Sequence, residues 1–366
     1  MPLSRFQPEH YTELLAQKTA SLQALMQPFS TLEPQVFASP LQGFRMRAEF
    51  RFWHTENDGY YAMFPKGQPD QPIRIDQFPI AHPNINRLMQ QLRDAVVQSE
   101  LLKNRLFQVE FLTTLSGDSL VTLIYHKMLD EQWQAEARTL EQQLGTAIIG
   151  RSRKQKLVLS RDYVDECLQV HGRAFHYRQM EGGFTQPNAI INQYMLGWAQ
   201  QQLQDIGGDF LELYCGNGNF TVALAQQFRQ VLATEISKTS VKAAQHNFAC
   251  NGINNVKVCR LSSEDMTAAL NQERAFRRLA EQQVELADYH FSTVLVDPPR
   301  AGLDAATLGL VQQFNHILYI SCNPQTLKSN LQQLQQTHHI KSLALFDQFP
   351  YTDHIETGVF LQKHSS

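Results

Sequence analysis

Charge is scarce in this 366-residue chain: Asp, Glu, Lys and Arg supply 18% of it, where soluble domains typically carry about 25%. Glutamine fills much of the shortfall, within helical patterns such as Leu331 to Gln336, which read as solvated helix faces and not as a prion-like tract. Positive charge is not in excess either. The 32 Lys and Arg against 35 Asp and Glu leave a formal net charge of −3, which excludes a uniformly basic, indiscriminate nucleic-acid binder. Long apolar runs are missing: none approaches the roughly 18 residues of a membrane helix, and Met1 to His10 lacks the apolar core of a signal peptide. A cytoplasmic protein with no membrane association is therefore expected. Cysteine is sparse, and Cys167, Cys215, Cys250, Cys259 and Cys322 show no C-x-x-C spacing. That disfavours a disulfide framework, a zinc site or an iron–sulfur cluster, so no metal is expected.

What is present suffices for real cores: 43% of the chain is hydrophobic, and its length accommodates about two domains of roughly 150 residues. Tyr11 to Met26 has the apolar spacing of one amphipathic helix. From Phe44 the period changes to two. Met46, Ala48, Phe50 and Phe52 alternate with Arg45, Arg47, Glu49, Arg51 and Trp53, which predicts a strand with one core face and one basic, Trp-ended face. Strands at Phe107 to Thr113 and Leu120 to His126 flank the turn Ser116-Gly117-Asp118, and helices are expected over Asn84 to Val97 and Glu131 to Leu144. The first half therefore reads as α+β with an antiparallel sheet. After about Asn188 strands and helices alternate: Phe210 to Tyr214, Gln230 to Thr234, Val256 to Arg260, Thr293 to Val296, His316 to Ser321 and Ser342 to Phe346 are the strands. This is the rhythm of a parallel, doubly wound sheet, with Glu356 to Gln362 able to add a last antiparallel strand.

Four segments carry chemistry. Leu211 to Phe220 runs a strand into the turn Cys215-Gly216-Asn217-Gly218 and then a helix, and glycines there let a backbone approach a ligand closely. Glu235 ends the next strand, where a carboxylate can hold two ribose hydroxyls. A lone G-x-G is also an ordinary tight turn; with Glu235 it points to a nucleoside-containing cofactor. The third glycine of the dinucleotide fingerprint is absent, which favours S-adenosyl-L-methionine over NAD.

Val294 to Arg300 closes an apolar strand with Asp297-Pro298-Pro299, a rigid corner at the sheet edge where ligands lie. Ile317 to Pro324 ends another strand at that edge with Cys322 at its tip. Most cysteines are inert and buried, but a thiol just before a helix opened by Pro324 feels the positive end of the helix dipole, and a lowered pKa with thiolate character is expected. Cys215, within the glycine turn, reads as packing or as backbone lining the cofactor. Phe346 to Val359 mixes titratable and aromatic residues; Glu356 within it reads either as a solvated hairpin acid or as a partly desolvated base.

Together, Phe184-Thr185-Gln186-Pro187-Asn188, the turn from Leu213 to Phe220, Asp297-Pro298-Pro299-Arg300, Ser321-Cys322-Asn323-Pro324 and His354-Ile355-Glu356 resemble the RNA uracil-5-methyltransferase family. Arg45 to Arg51 and Leu123 to Lys127 resemble in particular its bacterial tRNA-modifying branch. The resemblance implies a C-terminal Rossmann-like, S-adenosyl-L-methionine-dependent methyltransferase domain, residues 181–366, and an N-terminal α+β antiparallel-sheet RNA-binding domain, residues 1–180. It implies 5-methyluridine formation at the T-loop uridine, position 54, of tRNA, with Cys322 adding to uracil C6 and Glu356 removing the C5 proton. It places the cofactor at Gln186, Tyr214, Asn219, Glu235 and Asp297, the last of which could face cofactor, uracil or both. The target base would have to be flipped from the tRNA elbow. Arg45, Arg47, Arg51, Arg151, Arg153, Lys154 and Lys156 are candidate RNA contacts or solvated charges. Alternatives are the same reaction on ribosomal RNA or a tmRNA-like T-loop, a non-catalytic RNA-binding protein on this fold, and an NAD-dependent oxidoreductase. The net charge averages unlike halves: 1–180 holds 20 Lys and Arg against 19 Asp and Glu, and 181–366 holds 12 against 16. That restricts RNA binding to local basic clusters and shape recognition.

Overall fold

The chain opens with helix α1 (Tyr11–Met26) and the short strand β1 (Gln35–Phe37), and the computed structural model describes residues 5–56, 58–65 and 67–365. Residues 1–4, where the signal-peptide reading begins, lie outside the described residues. There follow β2 (Arg47–His54), β3 (Gly59–Met63), β4 (Ile73–Ile75), α2 (Pro83–Gln98), α3 (Glu100–Lys103), β5 (Leu106–Thr113), β6 (Ser119–Tyr125), α4 (Glu131–Leu144), β7 (Ala147–Ser152) and β8 (Gln155–Val158). Strands β9 (Tyr163–Val170) and β10 (Arg173–Met180) pair as a hairpin. The remainder alternates: α5 (Ala189–Gln202), β11 (Asp209–Leu213), α6 (Asn219–Leu224), β12 (Gln230–Thr234), α7 (Lys238–Cys250), β13 (Val256–Cys259), α8 (Ser263–Leu270), α9 (Arg277–Glu281), β14 (Phe291–Val296), α10 (Ala305–Val311), β15 (His316–Ser321), α11 (Pro324–Leu334), β16 (His338–Phe346) and β17 (Glu356–Lys363).

Two compact units result, and they interleave along the chain. The first consists chiefly of Pro40–Cys167 and Gln179–Ala189; the second takes Glu9–Ser39, Leu168–Arg178 and everything from Ile190 onward. A single cut after residue 180 does not describe this division, because α1 and β1 belong to the second unit and the segment carrying Gln186 to the first.

In the first unit the described strands form one sheet in the order β4-β3-β2-β5-β6-β7-β8. Its core face is the one the alternation indicated: Met46, Ala48, Phe50 and Phe52 are buried. The sheet is antiparallel except where β6 pairs with β7 in parallel, because α4 intervenes and returns the chain in the same direction. Asp130 caps α4 by accepting from Trp133 N, and Gly145 ends it with φ of 61°, as a left-handed C-terminal stop requires.

The second unit is built on a sheet of eight described strands ordered β1-β16-β17-β15-β14-β11-β12-β13. Strands β11 to β15 are parallel, and β17 is antiparallel to both β15 and β16. Strand order reverses between β11 and β14, so the ligand-binding switch point falls there. An antiparallel strand inserted among parallel ones presents its first residue where its neighbours present their last. That is how Glu356 reaches the carboxyl edge.

At the centre of β17, Gly358 lies beneath Trp198 of α5. A Cβ there would come within 2.7 Å of the Trp198 ring and 2.9 Å of the Phe346 ring, and close-packed interiors do not yield that space cheaply. Gly358→Ala is therefore expected to destabilise the protein by about 1–3 kcal/mol, measured as a lower thermal midpoint; an unchanged midpoint would contradict the packing.

Candidate active site

Strand register assembles the site. Leu213 pairs with both Thr234 and Val296, so the residues that follow, Tyr214, Glu235 and Asp297, leave β11, β12 and β14 side by side. Strand β15 pairs Tyr319 with Val296 and continues two residues further to Ser321. Because Ser321 pairs with Thr357, the next step along each strand brings Cys322 opposite Glu356.

The turn after β11 is shaped for a ligand. Tyr214 and Gly216 have φ of 62° and 56°, and a Cβ on Gly216 would meet nothing within 4 Å, so the backbone there faces open space. Gly218 is also left-handed, with φ of 80°; its Cβ would lie 2.8 Å from Phe248, so only glycine fits. Glu235 braces the turn. One carboxylate oxygen accepts from Gly216 N at 3.0 Å and the other from Ser237 N at 2.8 Å. Each oxygen keeps a free lone-pair direction, and two such acceptors match the vicinal hydroxyls of a ribose. Ile236, beside it, is 64% exposed and offers an apolar surface to a base. The Tyr214 hydroxyl donates to Ser263 Oγ at 2.6 Å, and Asn219 forms a reciprocal amide pair with Asn192 at 2.9 Å in each direction. These residues fit a nucleoside-bearing cofactor. Gln186 belongs to the first unit, where Pro187 O accepts from Met46 N.

Three acids gather at the edge, Glu212 and Glu356 buried and Asp297 half-buried. Glu356 is 5% exposed; burial first, and the charge of Asp297 second, push its carboxyl well above the usual range, with Arg300 opposing. Burial lifts Asp297 to about 7. Beneath them Glu212 on β11 accepts from the Thr221 hydroxyl at 2.5 Å; burial carries it to about 8, the hydroxyl opposing and Asp297 adding. Close, desolvated carboxyls cannot all ionise, so protons are retained at neutral pH.

Cys322 departs from its expected state. It does precede α11, whose N-cap is Asn323 and whose first residue is Pro324, yet its thiol is raised, not lowered. Burial dominates, Glu356 and Asp297 add negative charge, and Arg300 opposes them. Desolvation, with two neighbouring carboxyls adding to it, sets the direction. Arg300, quoted in its motif without a role, is thus the cation that favours both thiolate and carboxylate. Its carbonyl accepts from Asn323 Nδ2 at 2.9 Å, fastening the Asp-Pro-Pro-Arg corner to the helix behind Cys322, and its guanidinium lies 3.3 Å from His354 Nδ1.

The first unit carries a different surface. An open pocket of about 450 Å³ is lined by Arg51, Trp53, His54, Arg105, Phe107 and His126, among others. The Arg51 guanidinium lies 3.6 Å from the Phe107 ring centre, and Phe107 stacks on His126 at 4.0 Å. The other basic candidates are more committed. Arg45 and Arg47 donate to carbonyls of Arg47 and Gly183, while Arg151 and Lys156 both pair with Glu181. Arg153 and Lys154 lie at the β7–β8 turn. Phe107 was not singled out from the sequence as part of this surface; an aromatic at the outward phase of an alternating strand was its signal.

Comparison with known proteins agrees with this geometry. The structure of Pyrococcus abyssi tRNA (uracil-54, C5)-methyltransferase in complex with S-adenosyl-L-homocysteine superposes with a TM-score of 0.73 at 19% identity, covering 96% of this chain and 83% of that one. The fold is thus the α/β, Rossmann-like methyltransferase class. A model of the tRNA (uracil-5-)-methyltransferase family matches residues 10–364, and the chain belongs to that family. Proteins named tRNA/tmRNA (uracil-C(5))-methyltransferase from Pseudomonas entomophila and Neisseria meningitidis are 55% and 54% identical to it over 356 residues, spanning 97% and 96% of this chain and 98% of each relative. No helix among the described residues is long and apolar enough to cross a membrane, and no group of three or more potential metal ligands occurs among them.

The electrostatic arrangement is directly testable by thiol alkylation. Glu356→Gln removes a neighbour that is negative once ionised and is expected to speed iodoacetamide labelling of Cys322 severalfold at alkaline pH, whereas Arg300→Met slows it. Equal rates in all three proteins would refute the assigned causes.

Proposed function

We propose that this protein is an S-adenosyl-L-methionine-dependent methyltransferase that forms 5-methyluridine at the T-loop uridine, position 54, of tRNA. The observation that carries the reading is the β15–β17 register, which sets Cys322 opposite Glu356 at the ligand-binding edge of a methyltransferase sheet. The cofactor is held by Tyr214, Asn219, Glu235 and Asp297; when bound it supplies an electrophilic sulfonium methyl. Gln186, which the resemblance also assigns to the cofactor, lies in the first unit.

Uracil C5 is too weak a nucleophile to take a methyl group unaided. The Cys322 thiolate adds to C6, and the electron pair of the C5–C6 double bond passes to O4 as an enolate that makes C5 reactive. Once C5 is methylated, the Glu356 carboxylate removes its remaining proton, the enolate re-forms, and the C6–S bond breaks to return the thiolate. Both groups act in their deprotonated forms and both are held above their ordinary pKa values. Activity should therefore rise with pH through neutrality, and Arg300 moves that rise to lower pH.

The pocket on the first unit supports RNA recognition by stacking. Arg51, Phe107 and His126 form a cationic, aromatic platform on which an unstacked T-arm base can lie, and neighbouring Arg105 suits a phosphate. Relatives named for tRNA and tmRNA support a second substrate with a T-like loop. Such substrates place the reaction in the cytoplasm.

Two experiments test the reading. Cys322→Ala should abolish methylation of a T-arm RNA while leaving RNA affinity within a few fold, and Glu356→Gln should accumulate methylated RNA covalently bound to protein on denaturing gels; turnover by the alanine variant would sink the mechanism. Phe107→Ala should weaken T-arm binding by about 1–3 kcal/mol with cofactor affinity unchanged, and wild-type RNA affinity would remove the platform from the proposal.

A further inference from the structure

The loop that delivers Glu356 is long and is held from outside. Phe346, the last residue of β16, pairs with Glu356, the first of β17, and residues 347–355 connect them. Immediately after Phe346 stands Asp347, which is 1% exposed and carries none of the reaction. Lys18 of α1, itself 8% exposed, donates to Asp347 Oδ1 at 2.7 Å and to Phe349 O at 2.9 Å. The Tyr11 hydroxyl donates to Asp347 Oδ2 at 2.9 Å and accepts from Ser39 N at 2.7 Å. Further along the same loop, the ring of Tyr351 lies 5.8 Å from that of Tyr11. Strand β1 completes the hold, pairing Phe37 with Phe346, and Phe37 O accepts from Asp347 N at 3.1 Å. A buried ion pair is a costly way to gain stability alone. This one fixes the residue beside the strand partner of the base.

We propose that residues 11–39 act as a strap and that Lys18 and Tyr11, through Asp347, are positioning residues for Glu356, setting the rate at which the C5 proton is removed and the methylated RNA released. The inference rests on the assignment of Glu356 as the base. Cys322 lies between β15 and α11; α1 packs against α11, but the polar bonds of Lys18 and Tyr11 go to the 347–355 loop and not to that helix, so substitutions at these two residues spare thiolate addition. A carboxylate displaced by a fraction of an ångström from a carbon acid loses rate steeply. The strap therefore acts on one chemical step.

The test uses the full chain, a T-arm RNA and methyl-labelled cofactor in single-turnover mode, with covalent adduct and free methylated RNA resolved on denaturing gels. Lys18→Met is expected to form methylated adduct within about twofold of the wild-type rate and to release it about tenfold more slowly. Tyr11→Phe, which removes one hydrogen bond and leaves the ion pair, should show a smaller delay of the same kind, and Lys18→Arg should recover most of the release rate. Release at the wild-type rate in Lys18→Met and Tyr11→Phe overturns the proposal, as does a parallel fall of adduct formation and release in both, which is what a merely structural role gives. Glu356→Gln is run beside them. If it fails to accumulate methylated adduct, the assignment of the base falls; if it accumulates adduct and the strap variants do not, the strap alone falls.

Discussion

Burial of like charges at one sheet edge is the constraint on which the site depends. Glu212, Asp297 and Glu356 come from three strands, all are lifted by desolvation, and the charge of Asp297 reaches both of the others. Such a cluster is unfavourable when ionised, so the free protein retains protons there. The Cys322 thiol shares the penalty because it looks onto Glu356 and Asp297. Arg300 offsets the field at both groups, and its backbone is tied to the N-cap of the helix that follows the thiol. The arrangement gives a resting state with neutral groups and a reacting state in which cations and donors become valuable. A sulfonium centre brought to Asp297 would lower the cost of ionising the carboxyls around it.

Rigidity has to come from elsewhere, because neutral buried acids make few strong bonds. It comes from the sheet: parallel strands of matched register end together, and one antiparallel strand delivers Glu356 between β15 and β16. Gly358 lets Trp198 of α5 close over that strand. The cofactor turn is braced separately, by a carboxylate with one backbone donor on each oxygen. Bracing the glycine turn and placing Glu356 are thus tasks of different elements.

Much of this was legible in the chain because it is local. Period-two alternation marked the buried face of β2, the spacing of Tyr11 to Met26 marked α1 from end to end, and apolar runs ending in Asp297 and Cys322 marked strand tips. What failed was non-local. The thiol's pKa was misjudged because the helix terminus lies next to Cys322 in sequence, whereas the burial that chiefly raises it and the two carboxyls that add to it come from elements distant in the chain. The three-residue β1 has no signal of its own, since it exists by pairing with β16. The parallel junction of β6 and β7 required knowing that α4 crosses over, and the strand was hidden in a stretch read for its charge.

The interleaving of the units has the same origin and a functional consequence. Composition divides the chain into a nearly neutral first part and an acidic second part, but contacts assign residues 9–39 to the acidic one. A helix that begins the chain is thereby spent on the loop that ends it. Lys18 finds its buried counter-charge at Asp347, a pairing that no spacing rule anticipates and that local sequence would read as a helix-surface lysine. Once that pair is removed from water it must stay matched, so the first helix and the last loop have to fold as one piece. Glu356, which follows that loop, is therefore set in place together with the first helix.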